Sequence, residues 1–146
     1  MVIVLILVIA TLAFRAAGAL GSSAFVLWAA SARWALALMF LFTGVAHFTK
    51  PKYSMAAMVP KAFPNPMAML YFTGVCELAG AVGLLLPQTR SLAGWCLIAL
   101  LIAMFPANVK TAREHLLIAG KPATALWLRL PMQIGFIALA WWVSRT

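Results

Sequence analysis

The sequence predicts an all-α membrane protein, a bundle of four transmembrane helices preceded by one further helix at the N-terminus. Three observations predict it. Of 146 residues, 66% are hydrophobic and 9% charged, whereas a soluble domain lies nearer one half and one quarter. The mean hydropathy is +1.04. The apolar residues also gather into runs of about 20, the length that crosses ~30 Å of hydrocarbon. A chain this short cannot bury two thirds of its residues in a core of its own, so lipid must cover the rest.

The first run, Met1 to Leu20, is apolar except for Arg15, which lies near its far end and can snorkel to the interface. It has neither a basic leading segment nor a small-x-small cleavage pattern, so it reads as a retained helix rather than a signal peptide. Gly21, Ser22 and Ser23 break the run. The second span is expected over Ser31 to Phe48, with a possible start as early as Phe25. Then KPKYSMAAMVPKAFPNP (Lys50 to Pro66) sets four prolines and three lysines in one stretch. A continuous membrane helix cannot form there, because each interior proline removes a backbone hydrogen bond. The stretch reads as an interfacial loop with one short helical piece at Ser54 to Met58.

The third span is expected over Met67 to Leu86 and is closed by Pro87; Gln88 to Arg90 form a tight turn. The fourth runs from Ser91 to about Ala107. Asn108 to Ala119 reads as an interfacial amphipathic helix, with Lys110, Arg113 and Glu114 set against Leu116, Leu117 and Ile118. Gly120 is its expected C-cap and Pro122 its stop. The fifth span, Thr124 to Ser144, ends in Trp141 and Trp142 at the interface. Residues 1–20 are thus the extra helix, and 31–146 the four-helix membrane domain.

The net charge of +9 comes from eleven Lys and Arg against Glu77 and Glu114. The basic residues stand singly at the ends of apolar runs and form no cluster with interleaved aromatics, which argues against nucleic acid and for lipid headgroups. Lys50, Lys52, Lys61, Lys110, Arg113 and Lys121 fall on the side of the two long loops. Arg15, Arg33, Arg90 and Arg145 fall on the other. Six against four points the loop side to the cytoplasm.

Polar groups inside hydrocarbon are costly, so each one is a functional hypothesis. Glu77 lies about ten residues into its span, ~15 Å deep at 1.5 Å per residue. A lone carboxylate at that depth is either protonated or paired, and Arg129, about five residues into the fifth span, is the expected partner. Gln133 follows one turn later on the same face. Pro131 between them frees a carbonyl one turn back. His47 and Thr43 share a face at the end of the second span, Tyr71 lies one turn into the third, and Asn108 follows Pro106. His47, Tyr71, Glu77, Asn108, Arg129 and Gln133 are therefore the candidate ligand-binding residues, drawn from four helices, and are expected to line one cavity beneath the Pro-rich loop. The competing reading is that they are structural, since such groups often only hold membrane helices together.

His47 and His115 have no partners at metal-ligand spacing, so no metal site is expected. Cys76 and Cys96 sit in apolar surroundings without a CxxC and read as small hydrophobes. Cys76, Ala79, Gly80 and Gly83 form a small-residue stripe suited to close helix packing. Met55, Met58, Met67 and Met69 suit an adaptable surface facing lipid or a partner. Nucleophile motif, phosphate loop, haem-ligand pair and paired carboxylates are all missing from the sequence, so it does not demand catalysis by the chain itself.

RWALALMFLFTGVAHF (Arg33 to Phe48), MVPKAFPNP (Met58 to Pro66), LYFTGVCELAGAVGLLLP (Leu70 to Pro87), AMFPANV (Ala103 to Val109) and LRLPMQ (Leu128 to Gln133) occur in that order. Together, from Ala32 to Trp142, they resemble the DoxX family of small integral membrane proteins. The resemblance implies a four-helix core, here with an extra N-terminal span, in a bacterial cytoplasmic membrane. It also implies a redox setting. One relative is a subunit of a thiosulfate:quinone oxidoreductase, and another looks like a scaffold joining antioxidant and thiol-handling enzymes. It transfers no agreed catalytic residues.

Three functions follow as expectations. The first is an accessory or small-ligand-binding subunit of a membrane redox system, with a quinone or lipid as ligand and redox enzymes as partners. The second is a scaffold that presents its loops to other proteins. The third is a small transporter, which with so few spans and no visible inverted repeat needs a homo-oligomer.

Overall fold

The computed structural model describes residues 2–118 and 120–146. Met1 and Ala119, the outer ends of the expected first span and amphipathic helix, lie outside the described residues. Among the described residues, five helices are long and apolar enough to cross a membrane: α1 (Val2–Ala19), α2 (Trp28–Ala46), α4 (Pro66–Leu85), α5 (Arg90–Arg113) and α6 (Leu126–Arg145). An apolar run of 18 to 24 residues has no water to satisfy its backbone in lipid, and the α-helix satisfies it internally. Between α1 and α2, Gly21 takes φ 111° and a 3-10 turn covers Ser23–Phe25. The Pro-rich stretch holds one short helix, α3 (Lys52–Ala56), two residues earlier than expected. Pro66 opens α4 at its first position, where it has no hydrogen bond to lose, and the Asn65 side chain accepts from the Ala68 amide.

The largest departure is at the end of the fourth span. Among the described residues no separate amphipathic helix follows it. Instead α5 continues through Pro106 to Arg113. It ends where His115 turns left-handed at φ 50°, with the Leu116 amide bonded to the Thr111 carbonyl at 3.1 Å and the Glu114 amide to the Lys110 carbonyl at 2.9 Å. That six-to-one closure ends a helix as a glycine would, so His115 takes the role expected of Gly120. Leu117–Ile118 (β1) and Lys121–Pro122 (β2) then pair antiparallel, and Gly120 at φ 75° serves the hairpin turn. Pro106 cannot donate to the Ile102 carbonyl, and a helix of 24 residues tolerates the loss of that one bond.

Helices α2, α4, α5 and α6 surround the core, where Leu36, Leu84, Leu97 and Val143 are wholly buried. Helix α1 lies outside, against α2, with Ala10 as its one buried residue among those described. Its Leu5, Ile9 and Leu12 face outward, as do Phe42, Phe72 and Trp95 on the other helices. Lipid tails are as apolar as these side chains, so close packing rather than water exclusion must join the helices. The small-residue stripe performs that task. A Cβ at Gly80 would lie 2.5 Å from Leu97 Cδ2, and one at Gly83 2.8 Å from the Ala93 Cβ, so α4 and α5 touch along it. At the end away from the Pro-rich loop, buried Arg33 donates to the Val143 carbonyl (3.0 Å) and to Thr146 Oγ1 (3.2 Å), tying α2 to the end of α6.

Candidate functional site

The six sequence candidates divide into separate groups. Glu77 is buried on α4 and takes a hydrogen bond from Thr43 Oγ1 of α2. Among the described residues it forms no ion pair, so the expected pairing with Arg129 is not made. The physical reason is azimuthal. Arg129 sits on α6, whose neighbours are α5 and α2, while Glu77 faces α2 across a contact close enough for its Cβ to approach Gly44. Arg129 instead donates through Nη1 to Asn108 Oδ1 and through Nε to the Thr124 carbonyl at 3.1 Å. That clamp joins the end of α5 to the start of α6. Gln133 donates to the Leu101 carbonyl, again between α6 and α5. Tyr71 stacks on Phe48 with ring centroids 5.5 Å apart and planes 4° from parallel. The Lys52 ammonium lies 5.2 Å from the Tyr53 ring centre and 5.7 Å from that of Tyr71. The Tyr71 side chain first, and then the nearby phenol groups of Tyr53 and Tyr71, favour the ammonium and hold its pKa above the usual lysine value.

His47 belongs to the Glu77 group. It ends α2, its residue exposure is 1%, and its Nδ1 lies 2.9 Å from the Thr43 carbonyl. Thr43 thus contacts both titratable groups, Glu77 through its hydroxyl and His47 through its carbonyl. A carbonyl can only accept, so Nδ1 carries the proton. Nε2 is buried and has no hydrogen-bond partner among the described residues.

A cavity does lie beneath the Pro-rich loop, but its walls are not the polar set expected. It is a half-open recess of about 190 Å³ between the end of α2, the loop, the start of α4 and the second half of α5. Met55, Met58, Met69 and Met104 line it with Phe63 and Leu100, and its polar lining is His47 and Thr73. Of the six candidates only His47 reaches it. Three of the four loop-region methionines therefore wall a cavity instead of facing lipid. The loop is held over it by Lys110, whose Nζ donates to the Ala57 (2.7 Å) and Val59 (2.9 Å) carbonyls.

The sequence shows Lys110 only as an interfacial charge, because its partners lie some fifty residues earlier, on another element, and no local pattern encodes that bond. Thr43 was legible, one helical turn before His47. Arg33 carried the signal of any charge inside an apolar run.

A helical protein with five helices able to cross a membrane among the described residues, and an apolar cavity at one end of the bundle, is the class this fold and site define. Within it, the chain belongs to the family described as "Domain of unknown function (DUF8561)", whose model matches residues 36–144. No curated protein and no solved structure matches the chain.

Proposed function

We propose that this protein is a small-ligand-binding subunit of a membrane redox system, of the DoxX type, in a bacterial cytoplasmic membrane, and is not catalytic by itself. The ligand is a quinone- or lipid-class molecule whose head enters the cavity beneath the Pro-rich loop. The observation that carries this reading is the cavity itself: about 190 Å³, enclosed mostly by thioether and hydrocarbon groups. A space of roughly 150 Å³ with apolar walls stays dry and accepts a benzene ring, so this one suits a single substituted ring. It opens where α2, α4 and α5 meet the loop, so an attached chain can remain in lipid. The sequence resemblance over Ala32 to Trp142 supports the redox setting and a four-helix core of DoxX type.

The test is native mass spectrometry of protein extracted gently from its own membranes, wild type beside Ala103→Phe, which places a ring inside the cavity. A retained apolar small molecule in the wild type, lost in the folded variant, supports the reading. Protein that is bare in both forms and takes up no added short-chain quinone or hydroquinone overturns it. A scaffold function is the second reading. It is favoured by Tyr53 (70% exposed) and Phe63 (42% exposed) on the loop, and it predicts that loop replacement abolishes capture of a redox-enzyme partner.

A further inference from the structure

We propose that the cavity selects a ligand bearing an aromatic hydroxyl, a phenol or hydroquinone, over one that offers only carbonyl oxygens. This rests on the cavity reading above and adds the direction of its one polar contact. The argument begins at Thr43. Its backbone carbonyl lies 2.9 Å from His47 Nδ1 and can only accept, so Nδ1 donates. Burial among apolar groups disfavours a charged ring, and no carboxylate pairs with it among the described residues. The imidazole is therefore neutral, which leaves a lone pair on Nε2. That atom is the acceptor on a ring lining the cavity; it has no donor among the described residues and lies just behind the wall's surface, so a ligand reaches it where a methionine side chain turns aside.

A buried acceptor without a donor is uncommon and costs free energy. A bound hydroxyl removes that cost; a carbonyl or ether oxygen brought to the same place adds a second unpaired acceptor and repulsion between lone pairs. The other polar group of the lining does not change the balance. Thr73 donates its hydroxyl proton to the Leu70 carbonyl at 2.9 Å, so that proton is already committed within its own helix. The walls can admit such a ligand without rebuilding the backbone, because the side chains of Met55, Met58, Met69 and Met104 turn about three bonds each. The volume suits one ring with small substituents. The same lone pair would also take an aliphatic alcohol, and the test separates the two sources.

The experiment is equilibrium dialysis of the full chain in lipid nanodiscs, under anaerobic conditions, with empty nanodiscs subtracted. The probes are tetramethylhydroquinone, tetramethylbenzoquinone and dodecanol. The first two share a shape and differ in carrying O–H or C=O. The wild type is expected to bind the hydroquinone about tenfold or more tightly than the quinone, as sites with one committed polar group do. His47→Phe keeps a ring in the wall without the lone pair and is expected to bind both forms alike. Independently of any variant, the ¹⁵N resonance of His47 Nε2 is expected to move when hydroquinone is added and to stay when quinone is added, with His115 as the reference. Equal binding of the two forms by the wild type, or an unmoved Nε2 resonance, overturns the inference while leaving the cavity reading in place. Binding of dodecanol with His47 dependence, and of neither ring, overturns its aromatic half. Uptake of none of the probes overturns both readings together.

Discussion

Gly74 offers the sharpest test of the packing. It lies on α4 against the end of α2, and a Cβ built there would meet His47 Cβ at 2.7 Å, Phe48 Cε2 at 3.0 Å and His47 Cγ at 3.1 Å. Carbon atoms rest at about 3.5–4.0 Å, so Gly74→Ala is short of room by roughly 1 Å. The nearest atom is a Cβ, fixed to the backbone, and no rotamer change can move it aside. Either the helices part or α2 shifts. Overpacking of this kind costs about 1–3 kcal/mol, from which a helix interior returns up to ~1 kcal/mol when Gly becomes Ala. The net expectation is a loss of about 1–2 kcal/mol. Gly135→Ala makes the same chemical change on α6 at a position with nothing within 4 Å, and it is expected to be neutral or to gain up to ~1 kcal/mol. Unfolding in bicelles, by steric trapping or graded denaturant, measures both. The two variants should differ by about 2 kcal/mol. If Gly74→Ala is as stable as Gly135→Ala, then α2 and α4 do not approach as described, and the placement of His47 falls with them.

The other predictions concern the polar groups. A double-mutant cycle of Thr43→Val with Glu77→Gln should show coupling of about 0.6 kcal/mol, with ~1.7 kcal/mol as an upper figure for membrane hydrogen bonds. The cycle of Glu77→Gln with Arg129→Gln should be additive within ~0.5 kcal/mol; strong coupling there would restore the ion pair that the sequence suggested. His115→Gly relieves a left-handed residue at the end of α5 and should stabilise the protein by up to about 1 kcal/mol in the same unfolding assay. Lys110→Met removes both bonds that hold residues 57–59 over the cavity. Limited proteolysis within Lys50–Pro66 should then accelerate about tenfold, the equivalent of ~1.4 kcal/mol, while global unfolding shifts little.

Whether a helix spans a membrane is a property of some twenty consecutive side chains and their transfer from water. The sequence therefore determined the five apolar helices to within a few residues at most ends. The same local chemistry set the break at Lys50–Pro66, because proline acts on its own helix. The stripe at Gly80 and Gly83 was legible too, since small residues allow approach whatever stands opposite. What a membrane sequence lacks is a marked face. In a soluble helix an apolar stripe shows which side turns inward, but here Phe42, Phe72 and Trp95 are as apolar as Leu36 and Leu97 and face lipid instead. The rotation of each helix about its axis was thus decided by tertiary packing alone. That rotation gave Glu77 to Thr43 rather than Arg129, and Arg129 to Asn108. It also turned Met55, Met58 and Met69 into cavity walls and left His47 Nε2 without a donor among the described residues. The end of α5 followed the same rule: Gly120 has the better intrinsic turn preference, yet the helix closes at His115, where the chain must turn into the hairpin and onward to α6.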